Sequence, residues 1–144
     1  MVGPIVVAVL VVGGAAGCSG DGSGGGGKGG KLSVSATRAK PVAPRDALAA
    51  YEREAASGCT DADDCQQFMT RELAAGVKVC KAMEAKGRQT YAEPIGDVTE
   101  AERQADHYGR DNLGAKGNSL AVSLPLQRMV AWLREHSEGW RTGT

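Results

Sequence analysis

Aromatic side chains are scarce in this sequence. Two Trp, three Tyr and one Phe in 144 residues leave Leu, Val, Met and Ala to fill any core. Histidine is scarcer still: His107 and His136 stand alone, with no His-x-x-x-His or His-Glu pair that would offer zinc-ligand spacing. No Gly-x-Ser-x-Gly elbow positions a serine nucleophile, and no Cys-x-x-Cys supplies a redox dithiol. Lys/Arg and Asp/Glu balance at 17 each, so no excess of positive charge draws the chain to phosphates, and nucleic acid is excluded as a partner. No apolar run reaches the roughly 20 residues needed to cross a bilayer as a helix.

Glycine, by contrast, is abundant and concentrated near the beginning. The apolar run 5–12 (IVVAVLVV) passes into Gly13, Gly14, Ala15, Ala16 and Gly17, and then Cys18. A short apolar core ending in small residues is the pattern of a secretory signal peptide. Residues 15–18 (AAGC) resemble a lipobox, the signature of bacterial lipoproteins. The resemblance covers residues 1–18 only. It implies that Cys18 receives a diacylglyceryl group through its sulfur and that cleavage falls between Gly17 and Cys18. It also implies that the mature protein is held on the extracytoplasmic face of the cell membrane. Two acyl chains suffice for stable attachment at about 0.8 kcal/mol per buried methylene. Ala15 stands where such motifs usually have Leu. Because no Lys or Arg precedes the apolar run, translation is expected to start upstream of Met1.

Residues 18–45 read as the lipidated cysteine and a tether. Gly, Ser and Lys dominate the first half, and Pro41 and Pro44 stiffen the end. A coil of 27 residues spans roughly 30 Å, enough to lift a small domain off the lipid. The glycines do not form a phosphate loop, since Gly27-Lys28 is followed by Gly29 where Ser or Thr is needed. Residues 19–45 carry five Lys/Arg against Asp21, a net of +4, while 46–144 carry 12 against 16, a net of −4. The basic stretch suits proximity to anionic headgroups.

The domain, 46–144, reads as all-α: a small bundle of three or four helices. The first helix is expected over 44–57, opened by Pro44 and stopped at Gly58. The second is capped by Thr60, with acids in its first turn, and ends before Gly87. It carries Cys65, Met69, Leu73, Gly76, Cys80 and Met83 on one face, and Gly76 admits a close neighbour. Glu72 falls within that stripe and is expected to pair with an arginine, as a buried charge must. The third helix is expected from a Thr99/Glu102 capping box to about Asn112. The fourth is expected over 124–138, starting near Pro125 with Leu126, Met129, Val130 and Leu133 inward and Trp132 about 100° from their centre.

Cys59, Cys65 and Cys80 remain after Cys18. Cys65 and Cys80 on one helix would lie about 22 Å apart and cannot bond. Cys59–Cys65 would staple the turn to the second helix, whereas Cys59–Cys80 would require the chain to fold back. The former is preferred and leaves Cys80 as a buried free thiol. Asp61, Asp63, Asp64 and Glu72 echo a calcium loop, but Gln66 occupies the glycine position and Cys65 a ligand position, so a helix cap is the better reading. No metal or other cofactor is expected. Two functions follow. One is an interaction or sensing module whose protein or envelope partner is met by Trp132 and Trp140. The other is an enzyme with an acid/His site built from Glu72, His107 or His136.

Overall fold

Pro44 opens α1 (Pro44–Ala55) as its first helical residue, where a fixed φ helps and a missing N–H costs nothing. Ala47, Leu48 and Tyr51 turn inward, and the chain reverses at Gly58, whose φ of +62° a side chain would resist. The computed structural model describes Cys18 and residues 40–137; besides α1 these form α2 (Ala62–Gly87), α3 (Ala92–Tyr108) and α4 (Lys116–Glu135), with no strand among the described residues. The fold is a small all-α bundle. The expected signal segment 1–17, most of the tether and Trp140 lie outside the described residues.

The cap of α2 is Asp61, one residue later than expected. Its carboxylate accepts from the Asp64 N–H at 2.9 Å. Thr60 stands just outside, its N–H and hydroxyl both donating to Asp64 Oδ2. Asp61→Ala should therefore lower stability by about 1 kcal/mol, and Thr60→Val by clearly less, as measured by urea unfolding.

The third and fourth helices both start earlier than the sequence suggests. α3 begins at Ala92, and Pro94 lies in its first turn, where the N–H that proline lacks would have had no intrahelical acceptor. Thr99 is no cap: its hydroxyl donates back to the Ile95 carbonyl inside the helix. α4 begins at Lys116, so Pro125 is an interior residue whose ring is buried. Local propensity would end a helix there, and tertiary packing carries it through.

The helices pair as two hairpins, α1 on α2 and α3 on α4, and α2 also packs on α3 and α4. Met69, Val79, Met83, Val98, Val122, Leu126, Met129 and Leu133 fill the space between them. Gly76 is where α2 and α4 meet: a Cβ there would lie 2.7 Å from Leu126 Cδ2. Arg128–Asp97 joins α4 to α3 and Arg134–Glu52 joins α4 to α1, exposed pairs each worth a fraction of a kcal/mol.

Candidate functional site

Among the described residues, a dense grouping of sulfur and carboxylate side chains lies on the flank of α2. Cys80 is fully buried on the inner face of the helix, and half-buried Cys18 is docked against it with the two sulfurs bonded and their Cα atoms 6.4 Å apart. This corrects the expectation that Cys80 is a free thiol: no described cysteine is free. It also places the sulfur expected to carry lipid in a different bond. One sulfur cannot hold both a thioether and a disulfide. Sequence reasoning missed the pair because Cys18 had been set aside for the membrane, and 62 positions of separation say nothing about proximity in space.

Glu84, one turn beyond Cys80, brings a carboxylate oxygen within 4.8 Å of both sulfurs and accepts from Arg88 at 2.6 Å. Two sulfurs and a carboxylate are a plausible ligand set, but sulfurs bonded to each other offer no thiolate for a metal. Across the seam, Glu102 of α3 is buried and feels the charges of Lys81 and Glu84. Burial raises its carboxyl pKa, and Arg110 opposes the rise. The second disulfide joins Cys59 to Cys65, Cα atoms 4.8 Å apart, tying the α1–α2 turn to the first turn of α2.

Glu72 is buried in the core, 5% exposed, and its partner is not an arginine. The Tyr51 hydroxyl of α1 donates to Oε1 at 2.8 Å. Oε2 is buried without a hydrogen bond, because the Ser123 hydroxyl beside it donates to the Ser119 carbonyl at 2.8 Å. Desolvation therefore pushes the Glu72 carboxyl pKa up, against the hydrogen bond from Tyr51. Arg71, next in sequence, points outward and pairs with Glu54 at 3.5 Å.

The structure does not gather the acid/His residues of the enzyme reading. Glu72 sits with Tyr51, His107 packs edge-on against its neighbour Tyr108, and His136 stacks on Trp132 with ring centroids 3.9 Å apart. Trp132 is half-covered at the α3–α4 edge: its indole N–H donates to Glu93 at 3.1 Å, and Tyr91 meets its ring edge-on.

No family model, curated protein or solved structure matches this chain.

Two apolar residues went unnoticed in the sequence. Leu120 and Leu124, one turn apart on α4, are 55% and 50% exposed, on the side away from the core stripe. An i, i+4 leucine pair is a visible signal, but an α4 assumed to begin at 124 leaves Leu120 in a loop. A cleft of about 610 Å³ between α1 and α2 is floored by Ala47, Ala50, Ala75 and Ala82 and bordered by Val42 and Lys78. None of Glu72, His107 and His136 lines it.

Proposed function

We propose that this chain is an exported lipoprotein, anchored through a lipid on Cys18 and presenting the helical bundle as an interaction or sensing module outside the cytoplasm. The observation that carries the reading is the apolar run 5–12 leading into residues 15–18 (AAGC). The Cys59–Cys65 disulfide supports it, since small domains stapled this way belong to oxidising, exported compartments. No described helix is long and apolar enough to cross a membrane. The partner, a protein or another envelope component, would meet α4, where Leu120 and Leu124 are exposed and Trp132 is half-covered. Apolar and aromatic side chains dominate contact energy at such surfaces.

The test is expression of the full chain in a bacterium that lipidates exported proteins, with membrane fractionation and intact-mass analysis. The expected product begins at Cys18, carries a diacylglyceryl mass and sediments with membranes. Cys18→Ser should lose the lipid and the membrane association together. Equal processing and membrane binding of Cys18→Ser, or a mature protein still carrying residues 1–17, would overturn the reading.

A further inference from the structure

The placement of Cys18 against Cys80 bears on how the anchor itself is controlled. Both bonds available to the Cys18 sulfur consume the same S–H. In lipidation, the thiol attacks a glyceryl carbon of a phospholipid. A C–S bond forms, the C–O bond to the phosphate headgroup breaks, and the headgroup leaves with the electron pair while the thiol proton passes to a base. In disulfide formation, Cys18 and Cys80 together lose two protons and two electrons to a disulfide-type oxidant, whose own S–S bond becomes two thiols. A thioether sulfur has no proton to lose and cannot re-enter that exchange.

We propose that Cys80 competes with lipid for Cys18, so that thiol oxidation after export decides which fraction of the chain is membrane-anchored. This rests on the lipoprotein reading above. The geometry supports it in three ways. The Cα separation of 6.4 Å lies within the range that a disulfide spans without backbone movement. Cys80 is fully buried and Cys18 half-buried, so attack by a bulky thiol is blocked at the Cys80 sulfur and hindered at the Cys18 sulfur. Cys59 and Cys65 already satisfy each other, which leaves Cys18 as the sole cysteine partner for Cys80.

The two states differ in where the domain sits. In the bridged state, Cys18 is held on the flank of α2, and residues 19–79 are closed into a ring. In the lipidated state, Cys18 leaves that flank for the bilayer and the Cys80 thiol is left free.

The experiment uses the full chain in a lipidating bacterium, with cells quenched in acid, thiols alkylated by iodoacetamide in denaturant, and each cysteine mapped by mass spectrometry. Wild type should divide into two species. One carries the lipid and a single alkylated cysteine, Cys80. The other is unlipidated, has no alkylated cysteine, and yields a Cys18–Cys80 linked peptide. Adding dithiothreitol to the growing culture should shift wild type toward the lipidated species. Cys80→Ser, and Cys80→Ala as a second replacement for this buried position, should remove the bridged species and move the chain into the lipidated pool. Complete lipidation of wild type, unchanged by dithiothreitol or by either variant, would overturn the competition while leaving the anchor intact. Absence of the thioether in wild type and both variants would overturn the anchor itself and the competition with it.

Discussion

Tyr51→Phe should destabilise the bundle by about 1–3 kcal/mol near pH 7 and by much less near pH 4, because it strips a buried carboxylate of its one hydrogen bond. Glu72 Oε1 accepts from Tyr51 at 2.8 Å, and Oε2 has no partner. Burial, and then the charge and hydrogen bond of the Glu72 carboxylate, push the Tyr51 pKa well up, so its hydroxyl remains a donor at any ordinary pH. The sign of the pH dependence follows from the raised Glu72 pKa. The folded chain holds this proton more firmly than the unfolded chain does, where a Glu titrates near ~4.3. The associated stability is fully present below that value and is lost as pH rises through the folded value. Removing the Tyr51 hydroxyl raises the folded value further and deepens the loss at neutral pH. Glu72→Gln removes the titration altogether. Its urea midpoint should match wild type in acid and rise above it progressively toward neutrality. The buried Glu102 shifts in the same direction, but it is present in both proteins and cancels in the difference. Parallel pH curves for wild type and Glu72→Gln would refute this account of the core carboxylate.

Gly114→Val is the second large effect. A Cβ at Gly114 would stand 2.6 Å from the Gln66 N, 2.7 Å from the Ala62 carbonyl oxygen and 2.9 Å from the Gln66 Cα. These are backbone atoms in the first turn of α2, which cannot swing aside as a side chain can. The α3–α4 loop would have to withdraw. With it would go the bond from the Gly114 N–H to Gln66 Oε1 at 2.9 Å and the bond from Gln66 Nε2 to the Arg110 carbonyl at 2.8 Å. A loss of about 3 kcal/mol is expected for Val, with Ala toward the lower part of a range of about 1–3 kcal/mol. Gly117→Ala is the control. Its Cβ would meet nothing within 4 Å in the first turn of α4, and replacing a helical Gly should stabilise by about 0.5–1 kcal/mol. Equal thermal midpoints for Gly114→Val and Gly117→Ala would remove the close approach as an explanation.

Both predictions concern features that the sequence displayed without interpreting. Glu72 is visibly out of place among Met69, Leu73 and Gly76, and an arginine is the reasonable partner for a buried acid. The Tyr51 phenol reaches it instead from a helix 21 residues away, and a pairing of that kind depends on how two helices rotate against each other. The cleft-lining alanines of α1 and α2 likewise carry no signal until the helices are docked. On α4, Pro125 hid the first eight residues of the helix, Leu120 among them, and so the exposed face that Leu120 forms with Leu124.

The sequence alone determined the helical class, the inward stripe of α2, the close approach at Gly76 and the start of α1 at Pro44, because these depend on local backbone preference and on apolar spacing at one helical period. Only the tertiary structure decided that α4 runs through Pro125, that Tyr51 shares a hydrogen bond with Glu72, and that Cys18 reaches Cys80. Those outcomes come from packing between segments distant in the chain, where gains from burial and pairing outweigh a local preference of a few kcal/mol or less.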